Sequence, residues 1–85
     1  MNRKYMELAL EQAKLGAAAG EVPIGAVIVK NNVVLAKAHN LTEALKDPTA
    51  HAEVLAIRKA AEALGDFRLT GCELYGTMQG VIIHI

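Results

Sequence analysis

The stretch Val22 to Lys30 reads Val-Pro-Ile-Gly-Ala-Val-Ile-Val-Lys. Nearly every position is apolar and several are β-branched, with no alternation of polar and apolar residues. Such a segment predicts a strand buried on both faces. A strand of this kind needs a packed layer above it and another below. Pro23 donates no hydrogen bond and suits a strand beginning. Gly25 weakens a strand unless a ligand or a packed helix must approach the backbone closely. With 85 residues, the layers have to come from one domain, in which about 60–65% of the unfolded chain's surface is buried.

Helical spacing supplies the first layer. Tyr5, Leu8, Ala9, Ala13, Leu15 and Ala17 recur on one side of a predicted helix over Tyr5–Ala18, with Gly20 as a left-handed cap. Asn31-Asn32 offers a two-residue turn with positive φ, which makes Val33–His39 the second strand of a hairpin. Its alternating pattern places it nearer an edge. Asn40 to Lys46 reads as a loop. Asp47 is a good N-cap, with Pro48 at the first helical position and Thr49 as a competing cap. The helix this starts, Pro48–Leu64, carries Val54, Ile57, Ala61 and Leu64 on one face, pairs Arg58 with Glu62, and stops at Gly65. Leu69-Thr70-Gly71 leads into a third strand, Cys72–Thr77. Val81 to Ile85 is too short for periodicity to choose between a fourth strand and the tail of a helix. A hairpin followed by a crossover helix predicts an α/β fold: a mixed sheet with helices packed on it.

Composition narrows the function. Nine basic residues balance nine acidic ones, so net charge gives no sign of a general nucleic-acid or membrane binder. A local basic patch is compatible with that sum. A single cysteine, Cys72, fits a reducing compartment. Met1 to Ala19 lacks the apolar run of a signal peptide or membrane span. A cytoplasmic protein with no membrane partner is therefore expected.

One stretch places ionisable residues among apolar ones: Asp47-Pro48-Thr49-Ala50-His51-Ala52-Glu53. A solvated first helical turn accounts for it, since Glu favours the positive end of the helix dipole. A metal ligand followed by a general acid/base accounts for it too. Two residues apart on a helix, His51 and Glu53 point about 200° apart. They converge only on a point ahead of the helix N-terminus, towards which side chains tilt. One histidine does not make a zinc site, because catalytic zinc takes three protein ligands and a water.

Four blocks carry a family resemblance. They are Gly20-Glu21-Val22-Pro23-Ile24-Gly25-Ala26-Val27-Ile28-Val29, Ala38-His39-Asn40, Asp47 to Ile57, and Leu69-Thr70-Gly71-Cys72-Glu73-Leu74-Tyr75. In that order they closely resemble the bacterial tRNA-specific adenosine deaminases, of the zinc-dependent cytidine/deoxycytidylate deaminase superfamily. The superfamily signature is a His-x-Glu segment followed by Pro-Cys-x-x-Cys. The resemblance implies that His51 is the zinc-binding histidine and Glu53 the catalytic proton-shuttling residue. It implies that Asn40 contacts the target nucleoside and that Val22, Pro23, Ile24 and Gly25 border the base pocket. Zinc is the implied cofactor and the tRNA anticodon loop the implied partner, with wobble adenosine converted to inosine. A deaminase of a free base or nucleotide, such as guanine, cytosine or dCMP, is the neighbouring alternative. The Gly-Glu-Val-Pro-Ile-Gly block argues for the tRNA-acting members.

The departure is as specific as the match. After the third strand the family continues Val-Thr-Leu-Glu-Pro-Cys-x-Met-Cys-x-Gly-Ala. This chain reads Gly76-Thr77-Met78-Gln79-Gly80-Val81-Ile82-Ile83-His84-Ile85. Gly80 to His84 matches a Gly-Ala-Ile-Ile-His segment beyond the cysteines, so an internal deletion fits the facts. A frameshift or a deliberately shortened chain fits them equally. Both cysteine ligands are missing, which makes residues 1–85 a single truncated deaminase-like domain. Zinc is expected to be absent or weakly bound, and the chain inactive as it stands. The alternative outside the enzyme class is a non-catalytic fold remnant or engineered self-associating scaffold.

Replacement ligands are poor. Cys72 starts the third strand, about 16 Å from its far end, and suits a small buried position better. His84 is reachable in principle but fits a terminal surface residue. His39 fits a structural role, and Met78 is too soft for zinc. Two helices are few to cover both faces of the sheet, so apolar faces and an open strand edge predict a homodimer or higher oligomer.

Overall fold

The computed structural model describes residues 3–78 and 80–85. Its elements run α1 (Arg3–Ala18), β1 (Gly25–Lys30), β2 (Val33–His39), α2 (Thr42–Leu45), α3 (Ala52–Leu64), β3 (Glu73–Gly76) and β4 (Val81–His84). The four strands form one sheet in the order β2-β1-β3-β4. The fold is α/β with helices on a single sheet, as expected. The pairing, however, is antiparallel throughout and not mixed. The crossover through α3 does make β2 and β3 parallel to each other, but β1 lies between them and opposes both.

β1 is the central strand its composition demands. Ala26 and Ile28 face one side, Val27 and Val29 the other, and all four are buried. Burying each of the Val and Ile side chains stabilises the fold by about 1.5–3 kcal/mol relative to exposure. On one side α1 lays Tyr5 and Ala9 against Val27, Val29 and Tyr75. The Tyr5 and Tyr75 rings meet at 5.4 Å between centroids, tilted by 55°. On the other side α3 lays Ala52, Ala56 and Ala60 against Ala26, Ile28, Ala36, Ala38, Cys72 and Leu74. The buried stripe of α3 is thus the alanine row. The expected face of Val54, Ile57, Ala61 and Leu64 is only partly covered, and Ile57 is exposed. Small side chains let the helix settle close to the sheet, which leaves the larger ones at its flanks. Arg58 and Glu62 form no ion pair.

Gly25 explains the close approach of α1. A Cβ there would run into the Ala9 carbonyl and the Ala13 backbone nitrogen. The glycine serves a packed helix, one of the two uses its position allows.

The turns follow the sequence at the hairpin: Asn31 and Asn32 take φ of 50° and 63°, the mirror-image turn that matches strand twist. A bulge then shifts the register between Ile28 and Val29. Leu35 and Ala36 both pack on the α3 side as a result. Gly20 and Gly65 end their helices with positive φ, as expected.

Three boundaries differ from expectation. β1 begins at Gly25, so Val22, Pro23 and Ile24 precede the strand. The Asn40–Lys46 segment holds the short helix α2, whose Glu43 and Ala44 N–H groups donate to the buried carboxylate of Glu21 at 3.0 and 2.8 Å. Finally, α3 begins at Ala52, not Pro48. Asp47 caps a separate turn, its carboxylate accepting from the Thr49 N–H and hydroxyl at 2.8 and 2.7 Å.

Val81–His84 is a strand, the first of its two possible forms. It pairs Gly76 with Val81 and Glu73 with His84. Ile82 packs on the α1 side, whereas Ile83 is 50% exposed. α3 packs on β2 and β1. Among the described residues, no helix is long and apolar enough to cross a membrane.

Candidate active site

The start of α3 lies at one end of the sheet, and three other segments meet it there. The antiparallel register sets Gly25 beside His39, and Ala26 beside Gly76. The β1 entrance, the β2 exit and the β3 end therefore share one edge. Thr77 ties two of them: the Gly25 N–H donates to its Oγ1 at 2.9 Å, and its own N–H donates to the Gly25 carbonyl at 3.1 Å.

Asn40 joins the third to the helix. It is buried, its N–H donates to the Ile24 carbonyl at 3.2 Å, and its Oδ1 accepts from the Ala52 N–H at 2.8 Å. The first helical N–H groups have no partner within a helix. The residue in the N-cap position, His51, makes no side-chain cap. Asn40, twelve residues before Ala52, does that work instead. The donor it meets fixes which end of its amide is oxygen, so Nδ2 points away from the helix. Nδ2 has no partner among the described residues. No fully buried polar side-chain atom there lacks one, so Nδ2 retains contact with solvent.

His51 is exposed, with extended backbone (φ −76°, ψ 150°), and its carbonyl accepts the first helical bond from Leu55. Glu53 is half-buried, and its Oε2 lies 3.9 Å from where a Cβ on Gly76 would stand. Its carboxylate thus hangs over the end of β3. Nearby, Asp47 is held below the usual carboxylate range. The Thr49 hydroxyl contributes most, then the Thr49 N–H; slight burial opposes them and Arg58 adds a small favourable charge.

The structure therefore gathers Asn40, His51, Glu53, Ile24 and Gly25 at one edge. Val22 is exposed, as is Pro23. Gly25 offers a ligand no open side: α1 fills the space of its missing side chain, and Thr77 occupies its backbone groups. Thr77 and Glu21 are contributors that sequence reasoning missed. Their partners lie 52 and 22–23 residues away, so no local pattern exposes them.

The remaining candidates fall elsewhere. Cys72 is buried in the α3-side core before β3. His39 directs Nδ1 at the Asn40 carbonyl, 2.9 Å away, and its ring packs on Gly16. His84 pairs with Glu73 at 3.3 Å. Met78 is exposed in the turn between β3 and β4.

A cytidine-deaminase-like sheet with a His-x-Glu helix start is the class this arrangement defines. The chain belongs to the family described as the cytidine and deoxycytidylate deaminase zinc-binding region, whose model matches residues 1–80. It is 50% identical over 84 residues to the tRNA-specific adenosine deaminase of Aquifex aeolicus (strain VF5), covering 98% of this chain and 56% of that protein. A solved structure from studies of A-to-I editing by tRNA:A34 deaminases superposes with a TM-score of 0.85 at 51% identity, covering 88% of this chain and 58% of the other. The guanine deaminase of Bacillus subtilis superposes with a TM-score of 0.84 at 45% identity, over 89% of this chain and 50% of the other. The chain thus spans about half the length of the relatives it matches.

The residues present do not fit the family's zinc. A catalytic zinc takes three protein ligands. Among the described residues, no group of three or more His, Cys, Asp or Glu side chains is placed to hold a metal.

Proposed function

We propose that this chain carries the substrate-facing portion of a tRNA-specific adenosine deaminase, and that its 85 residues do not deaminate unaided. The observation that carries this reading is the Asn40–Ala52 hydrogen bond. It sets a solvent-accessible amide donor beside His51 and Glu53, in a chain half identical to an enzyme of that name. In this reading Asn40 Nδ2 donates to an acceptor on the nucleoside, with its orientation locked by the helix it caps. Val22, Pro23 and Ile24 form the wall against which the base lies, and Gly25 holds that wall through Thr77 and α1. Glu53 is the group that moves protons at the reacting carbon, and His51 is the inherited metal position. The site's cytoplasmic setting and its partner, an anticodon loop, belong to the same proposal.

Self-association belongs to it as well. Leu74 faces α3, and its directly opposed neighbour Ile83 lies on the same face. Leu74 is buried there but Ile83 is half exposed, so the β4 end of this face is open to a second copy.

Amide shifts on titration of the labelled chain test the substrate class. An adenine nucleoside is expected to move the signals of Ile24, Asn40, Ala52 and Glu53 more than guanine does. Guanine moving them while the adenosine analogue leaves them in place would favour the free-base reading, which the guanine deaminase likeness keeps in view. Inosine formed on an anticodon stem-loop by this chain would overturn the inactive assignment.

A further inference from the structure

We infer that the β3–β4 hairpin excludes zinc from the His51–Glu53 edge, so that the folded chain holds no zinc at its inherited catalytic position. The inference rests on the family reading only for which position is the inherited one.

Where the signature would place its cysteines, the chain turns. Residues 77–80, Thr-Met-Gln-Gly, link β3 to β4 and contain no His, Cys, Asp or Glu. Thr77 is committed to Gly25 through both its hydroxyl and its N–H. The returning strand then pairs antiparallel, Gly76 with Val81 and Glu73 with His84. Each further residue therefore moves away from His51. His84 stands opposite a residue three positions from Gly76, about 10 Å along the strand. Cys72 is four positions from Gly76, about 13 Å, and buried under α3. Both sit at the opposite end of the sheet, where the Ile85 N–H donates to the Cys72 carbonyl at 2.9 Å and the Gly71 N–H to the Ile85 carbonyl at 3.1 Å. A ligand drawn from either end would require the hairpin to come apart.

The test is metal content and not turnover. The purified chain, loaded with zinc chloride and passed through a desalting column, is analysed by elemental mass spectrometry alongside His51→Ala and His84→Ala. Circular dichroism establishes that all three are folded. The expected result is substoichiometric zinc that His51→Ala does not change. Zinc that survives His51→Ala but is lost in His84→Ala marks the exterior Glu73–His84 pair and supports the inference. One zinc per chain, or one shared by two chains, that His51→Ala abolishes would overturn it. That outcome would leave the substrate reading standing, because the nucleoside titration does not depend on metal.

Discussion

Asn40 has two demands on one amide. Its oxygen closes the N-terminus of α3, and in the proposed function its nitrogen donates to the nucleoside. Asn40→Ala leaves the Ala52 N–H buried without an acceptor, a loss of about 1–3 kcal/mol. Urea denaturation is expected to show a lower midpoint with unchanged slope. Asp47 makes a different kind of residue-level prediction. Its folded pKa lies below 3.8 because the Thr49 hydroxyl and N–H hold the ionised form. The stability it contributes is therefore present above the unfolded value and lost as pH falls through the folded one. Asp47→Ala should lower Tm near neutral pH, and the gap to the parent chain should close in acid. A gap that persists at the lowest pH would assign the loss to the turn geometry and not to charge.

Elements show how far local chemistry reaches. The hairpin turn, the buried strand and both helix-ending glycines are written in adjacent residues, and each is legible in the sequence for that reason. The start of α3 is not. Asp47-Pro48 has the chemistry of an N-cap and first helical position, but that chemistry is spent on an Asx-type turn with Thr49. The helix takes its acceptor from Asn40 instead. α2 likewise depends on Glu21, more than twenty residues before it. The His51 and Glu53 positions were readable through the family blocks, yet what stands beside them was not, because the register of β3 and β4 decides it. The docking of α1 is legible in one residue, Gly25. Gly25→Ala sets a methyl against the Ala9 carbonyl, and overpacking of this kind costs about 1–3 kcal/mol. Thermal unfolding should show the loss, with α1 the element displaced.

For the whole molecule, the arithmetic of layers governs. Two long helices cover the sheet, α1 on β1, β2 and β3 and α3 chiefly on β2 and β1, reaching β3 at Leu74. The remaining apolar surface, with Ile83 half exposed and β4 an open edge, is expected to draw copies together. Light scattering coupled to size exclusion at micromolar concentration should report a dimer or larger species; a monomer would count against this. Ile83→Lys places a charge on the same surface and should shift the population toward monomer without unfolding the chain. The ring pair joining α1 to the sheet has its own consequence. The chain contains no tryptophan and only two tyrosines, Tyr5 and Tyr75, and both are in that contact. All of its tyrosine fluorescence therefore originates at a single seam. An emission trace recorded during unfolding is a readout of α1 leaving the sheet, whatever the opposite face is doing at that moment.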